Sequence, residues 1–253
     1  MRHSANLHIV PPIIAHRGAN HLAPENTLAA FLKASELGFT WVEFDVMLSK
    51  DAEVVVIHDE ELSRTTNGVG AVIDYPLSYL ETLDAGSWFD SRFSYSRIST
   101  LQTVLSFLYQ HKLSANIEIK GLQGCNELVV EKVFAILNKH TQHFMSPPLI
   151  SSFSLPVLQL ARQKSADIML GFLMDEWMLD WETQCDQLQC VAVNMNHQIL
   201  NRERAEAIKV TGRQLLAYTV NDLSRAQQLY SWGVDAVFSD CLLPEQLSKK
   251  SKV

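Results

Sequence analysis

The sequence predicts an α/β protein, a TIM (β/α)8 barrel with a small insertion after strand 2. Three observations predict it. Short, β-branched apolar runs alternate with helix-like segments along the chain, the pattern of a parallel sheet with crossover helices. Eight such runs can be marked off, the number that closes a parallel sheet into a barrel. The length, 253 residues, suits a barrel of that size. Residues 1–253 are therefore expected to form a single barrel domain, with the insertion at about 49–100.

The first strand is read in "PIIAHRG". "PENTLAAFLKASELG" then reads as a helix, with Pro24 near its first turn and Gly38 as its stop. The remaining strands are "WVEFDVML", "SANIEIK", "PLISSF", "DIMLGFLM", "CVAVNMN", "QLLAYTV" and "DAVFSD". Helical patterns lie between most of them, as in "NELVVEKVFAILNKH", "LPVLQLARQK", "NRERAEAIKV" and "NDLSRAQQLYSWG". One connection is too long for a single crossover, the roughly 65 residues between strands two and three. It holds an extra short strand, "EVVVIHD", then a Gly-, Asp-, Ser- and aromatic-rich stretch, and a helix near Leu101 to Lys112. Its few apolar residues argue for a rim insertion rather than a second domain with its own core.

The composition narrows the function. Hydrophobic residues make up 47% and charged residues 19%, enough for a large core and unlike a disordered chain. The net charge is −7, and the basic residues cluster in nothing longer than the "KKSK" near the C-terminus. A nucleic-acid binder needs a positive footprint, so none is expected here. The four cysteines form no CxxC pair, which suits reduced thiols in a cytoplasmic protein. The run "HIVPPIIA" is short and split by two prolines, so neither a signal peptide nor a membrane span is expected.

Active sites of parallel barrels lie at the C-terminal ends of the strands. His16 and Arg17 end strand one, and His58 and Asp59 end the extra strand. Glu43 and Asp45 are two apart on strand two, so both side chains share a face. Glu118 and Lys120 repeat that spacing on strand three. Strand four ends in Ser152 and Phe153, and strand seven ends near Tyr218 and Asn221. Any one of these has a bland explanation, and Asp59 is read as a turn or capping group. Together they point one way. Three converging carboxylates repel unless a cation joins them, and all-oxygen ligands suit Mg²⁺ or Ca²⁺. Arg17 and Lys120 can hold an anion whose charge grows during reaction. His16 and His58 carry imidazoles, which can exchange protons. With no activated Ser or Cys in view, the set reads as metal-assisted cleavage of a phosphodiester.

The stretches "AHRGANHLAPENT", "VEFDVMLSKDAEVVVIHDEELSRTTNGVG", "LDAGSW", "ANIEIK", "SSF", "AYTVND" and "WGVDAVFSD" resemble the glycerophosphodiester phosphodiesterases, from about Ile13 to Asp240. "GFLMDEWMLDW" further resembles the bacterial cytosolic branch associated with glycerol phosphate uptake. The resemblance implies hydrolysis of glycerophosphocholine, glycerophosphoethanolamine and similar diesters to sn-glycerol 3-phosphate and an alcohol. By the same resemblance, His16 and His58 look like the acid and base, and Glu43, Asp45 and Glu118 like ligands of one divalent cation. Arg17 and Lys120 look like phosphate contacts, with Phe153 and Tyr218 as further substrate-binding residues. Tyr218 stands where many members carry Trp, a difference in the pocket wall. The expected partner is a small glycerophosphodiester, without stable membrane association. Alternatives are a lysophospholipase D or phospholipase C-like enzyme, for which Trp88, Phe89, Phe93 and Tyr95 could form an apolar lip, and a non-catalytic glycerophosphodiester-binding protein.

Overall fold

The computed structural model describes residues 10–122, 124–140 and 146–248. The "KKSK" run and the first two residues of the "HIVPPIIA" stretch lie outside the described residues. Strands β1 (Ile13–Ala15), β2 (Trp41–Leu48), β5 (Ser114–Ile119), β6 (Leu149–Ser152), β7 (Met169–Met174), β8 (Ala192–Asn196), β9 (Gln214–Tyr218) and β10 (Ala236–Ser239) pair in parallel. Their order is β1-β10-β9-β8-β7-β6-β5-β2, and β1 also pairs with β2, which closes the barrel. The two shorter strands, β3 (Val54–Val56) and β4 (Ser99–Thr100), run antiparallel beside β2.

Alternation along the strands builds two apolar layers. Outward-facing Val42, Phe44 and Val46 join Phe31 and Ala34 of helix α1 (Leu28–Glu36) and Leu105 and Leu108 of α3 (Leu101–Gln110) in the main core. Burying a side chain such as Phe44 fully is worth about 1.5–3 kcal/mol. Inward-facing Ile14, Trp41, Leu149, Met169, Leu216 and Phe238 belong to a separate cluster that fills the barrel interior.

The helices follow their capping residues. Thr27, Thr100, Ser154, Asn201 and Asp222 each accept a hydrogen bond from a first-turn backbone N–H. They open α1, α3, α5 (Leu155–Lys164), α7 (Arg202–Lys209) and α8 (Leu223–Ser231). Helix α1 starts four residues later than the sequence suggests. Asn26 is left-handed (φ 58°) and donates its backbone N–H to the Arg17 carbonyl, so Pro24 to Asn26 form a turn instead. Gly38, at φ 82°, ends the helix as expected. Helix α4 spans Asn126–His140, and a helix not foreseen, α6 (Trp181–Leu188), follows β7.

The segment between β2 and α3 is better packed than its composition suggests. Met47, Val55, Ile57, Leu62, Leu80, Leu83 and Ile98 are among the buried residues of a small apolar cluster separate from the main core. Strand β3 serves both sides, because Val54 and Val56 face the main core while Val55 and Ile57 face the small one. The segment's few apolar residues make up this cluster with the second faces of β2 and β3. The segment also contains the short helix α2 (Leu77–Leu80).

Candidate active site

His16 continues β1, its backbone N–H bonded to the Ser239 carbonyl at 3.0 Å. That register sets its imidazole beside Asp240 at the end of β10, with Nδ1 and Oδ1 2.7 Å apart. Asn20 and Asn221 also donate to the Asp240 carboxylate, each at 2.6 Å. Burial pushes the Asp240 carboxyl up, but the His16, Asn221 and Asn20 hydrogen bonds outweigh it and hold it well below the usual carboxylate range. An ionised Asp240 makes His16 Nδ1 the donor, which leaves Nε2 facing inward, 3.9 Å from Glu43.

Arg17 turns the chain away from the strand with φ 55°. Its backbone N–H donates to Glu43 Oε2 at 2.9 Å, and its Nη1 to Glu25 Oε1 at 2.7 Å. Gly18 follows at φ 80°, and a Cβ there would lie 2.7 Å from the Ala30 methyl, so both backbone and space require glycine.

Glu43, Asp45 and Glu118 are buried and present carboxylate oxygens within 4.8 Å of one another. Lys120 Nζ lies 2.8 Å from Asp45 and 2.6 Å from Glu118. Asp45 also accepts from Asn26 Nδ2 at 2.9 Å. Burial and the neighbouring carboxylates push Glu43 well up, and burial together with Asp45 raises Glu118 to about 7. Asp45 goes the other way, because Lys120 and Arg17 outweigh its burial. A hard divalent cation fits this donor set: it would take three oxygens from one small volume and relieve the repulsion that raises two of them.

His58 follows β3, and its Nδ1 lies 2.6 Å from Asp59 Oδ1. Asp59 is thus the partner of a site histidine rather than the turn or capping group expected from sequence. Arg64 donates to both Asp59 oxygens and holds that carboxyl well below its usual range. Burial lowers the His58 pKa, and Lys120 and Arg17 act in the same direction against Asp45.

These groups meet in a cavity of about 250 Å³ at the C-terminal ends of the strands. Of the residues expected at the site, His16, Arg17, Glu43, His58, Glu118, Lys120, Phe153 and Tyr218 line it, and Asp45 lies just behind. The Phe153 and Tyr218 rings meet edge to face, 5.9 Å apart, on one wall. Trp88, Phe89, Phe93 and Tyr95 are not on that wall. They meet in series within the β2–α3 segment, two pairs edge to face and the last tilted, with centroids 5.8, 5.7 and 6.3 Å apart.

A model of the glycerophosphoryl diester phosphodiesterase family matches residues 16–242. The chain belongs to that family. It is an enzyme of the glycerophosphodiester phosphodiesterase type. YhdW of Bacillus subtilis (strain 168) is 37% identical, with 95% of this chain and 98% of that protein covered. A glycerophosphodiester phosphodiesterase of Caldanaerobacter subterraneus subsp. tengcongensis is 32% identical, with 90% and 93% covered. Among solved structures, a phosphodiesterase of Oleispira antarctica in complex with the product sn-glycerol-3-phosphate superposes with a TM-score of 0.89. It is 36% identical, and the match covers 94% of this chain and 96% of that one. Among the described residues of this phosphodiesterase, no helix is long and apolar enough to cross a membrane.

Sequence reasoning missed four residues that hold the phosphodiesterase site together: Glu25, Asn26, Arg64 and Asp240. Asp240 carried a usable signal. It ends the eighth strand, and barrel closure sets that strand beside the one that ends in His16. Glu25 and Arg64 carried none, since each comes from a loop and their meeting depends on the whole fold.

Proposed function

We propose that this phosphodiesterase hydrolyses small glycerophosphodiesters, such as glycerophosphocholine and glycerophosphoethanolamine, to sn-glycerol 3-phosphate and the free alcohol. The observation that carries the reading is one cavity joining three clustered carboxylates to two histidines, each backed by an aspartate at 2.7 or 2.6 Å. Glu43, Asp45 and Glu118 would hold one Mg²⁺ or Ca²⁺. The cation would act as a Lewis acid toward a phosphoryl oxygen.

The remaining roles belong to side chains. Asp240 and Asp59 occupy the Nδ1 atoms, so the Nε2 atoms of His16 and His58 are the ones that exchange protons with substrate. The two histidines divide the general-acid and general-base roles. Arg17 and Lys120 supply positive charge beside the phosphate, which gains charge toward the transition state. Phe153 and Tyr218 wall the cavity against bulk water. The aromatic series from Trp88 to Tyr95 stands off the cavity, which favours a small polar diester over a lipid. Unpaired cysteines suit a reducing, cytoplasmic setting.

The test is release of glycerol 3-phosphate from glycerophosphocholine by protein stripped of metal, with elemental analysis as the check. Turnover should vanish and return on adding Mg²⁺ or Ca²⁺. Full turnover without metal would overturn the cation's role. Faster turnover of lysophosphatidylcholine would overturn the substrate.

A further inference from the structure

Strand β2 changes neighbours just where Asp45 stands. β1 pairs with β2 only at Ala15 and Val42, and β3 takes over at Val56 and Val46. Between them, the Asp45 carbonyl accepts from the Ile57 N–H at 3.1 Å, and the Asp45 N–H donates to the Asn26 side chain, with Oδ1 3.3 Å away. The same amide returns a bond, from Nδ2 to Asp45 Oδ2 at 2.9 Å. A carboxylate only accepts and a backbone N–H only donates, so one orientation of the amide serves both. The pair of bonds ties the carboxylate of Asp45 to its own backbone and so fixes both side-chain torsions. Asn26 is 4% exposed and is not among the described residues that line the main cavity. Whatever its side chain does for the reaction passes through Asp45.

Three demands meet at position 26. The backbone is left-handed, with φ 58°, a conformation open to glycine, asparagine and aspartate more than to other residues. The side chain must accept from an N–H, and it must donate to a carboxylate. Glycine meets the first demand, aspartate the first two, and asparagine all three. The carboxylate it holds is contested. Lys120 Nζ lies 2.8 Å from Asp45 Oδ1, and Arg17 Nε lies 3.7 Å from Oδ2. Either cation can draw the group away from its cluster with Glu43 and Glu118. A neutral amide stops that rotation without adding a competing charge. Groups that orient a metal-ligating carboxylate in this way typically change metal affinity by about 10- to 100-fold.

We propose that Asn26 is a positioning residue for the metal: it aims the Asp45 carboxylate at the divalent cation, and so sets how tightly the three acids hold that cation, without touching cation or substrate. This rests on the cation reading above and adds a residue to it.

Calorimetric titration of the metal-stripped whole protein with Mg²⁺ and with Ca²⁺ tests it. Asn26→Gly keeps the left-handed turn and the backbone N–H that donates to the Arg17 carbonyl at 3.0 Å, and it removes the amide. Its Kd for each cation should rise about 10-fold or more over wild type. Its melting temperature without metal should fall as well, because the Asp45 N–H loses its acceptor. The two readouts separate the roles. A lower melting temperature with an unchanged Kd would make Asn26 a cap for β2 alone and overturns the proposal. If Asn26→Gly does not fold, Asn26→Asp is titrated in its place above neutral pH. That variant keeps the turn and the acceptor for the Asp45 N–H, but it turns an oxygen rather than a donor toward Oδ2. Its Kd should also rise, and an unchanged or lower Kd overturns the proposal. A wild type that binds neither cation overturns the cation reading and this proposal with it. Binding by the wild type with the same Kd in the variant overturns the role of Asn26 and leaves the cation reading standing.

Discussion

Arg64 and Glu25, 39 residues apart in the chain, are joined by two hydrogen bonds of 2.7 and 2.8 Å. The same guanidinium grips Asp59, and the same carboxylate grips Arg17. An unbroken series of hydrogen bonds thus runs from His58 through Asp59, Arg64 and Glu25 to Arg17. It fixes the β3 end of the site against the β1 end.

Arg64→Met should therefore lower kcat by about tenfold or more, as loss of an outer-shell partner commonly does. Arg64 is itself exposed, so the loss of stability should stay below about 1 kcal/mol. Steady-state kinetics beside a urea melt separate the two effects. Normal kcat with a large stability loss would make Arg64 a strut and nothing more.

His16→Ala and His58→Ala should each lower kcat by about 10²- to 10⁴-fold, the usual worth of a placed acid or base. Both histidines are only partly buried, so the fold should survive. Near-normal kcat in either variant would remove that histidine from proton transfer.

Asp240→Asn probes the clamp on His16. Losing the ionised acceptor frees the imidazole to adopt the wrong tautomer, so kcat should fall by about 10²-fold or more. Stability should respond to pH with a defined sign. The folded Asp240 carboxyl lies below the unfolded value of about 3.9. Its contribution is then present above about pH 4 and lost as pH falls through the folded value. The gap in urea midpoint between wild type and variant should be wide at pH 7 and narrow in strong acid. An equal gap at both would mean that charge plays no part.

Lys120→Met removes an ammonium 2.8 Å from Asp45 and 2.6 Å from Glu118 while keeping most of the stem. Both KM and kcat should worsen, since charge on the phosphoryl oxygens increases toward the transition state. A change in KM alone would mean uniform binding. No change in either would confine Lys120 to neutralising its two carboxylates.

Glu43→Gln keeps the shape of a proposed ligand and removes its negative charge. The Mg²⁺ concentration giving half-maximal turnover should rise about 10-fold or more, because carboxylate count sets the affinity of an oxygen site. An unchanged concentration would take Glu43 out of the metal shell.

Much of the barrel was legible in the sequence, because a parallel strand buried on both faces must be apolar and must be followed by a return helix. The E-x-D and E-x-K pairs were legible for a related reason: period two puts both members on one face whatever the neighbours do. What stayed hidden depended on distant pairing. Asp240 meets His16 across 224 residues because β1 and β10 close the barrel. Asn26 and Glu25 looked like the first turn of a helix, yet each gives its side chain to the site and α1 begins only at Leu28. Asp59 reads as a turn residue in the sequence because nothing local shows that its neighbour's ring turns toward it.

The small apolar cluster beneath β3 has a consequence for heat. His58 and Asp59 are carried by a segment whose packing on that side rests on Leu62, Leu80 and Ile98, while the barrel rests on the larger core. The two apolar bodies need not open together, and the smaller has less to lose by opening. Warming would then silence the enzyme by loosening the arm that bears His58 while the eight-stranded wall is still intact. Truncating Leu80 would widen the interval between the temperature at which turnover stops and the temperature at which the barrel melts.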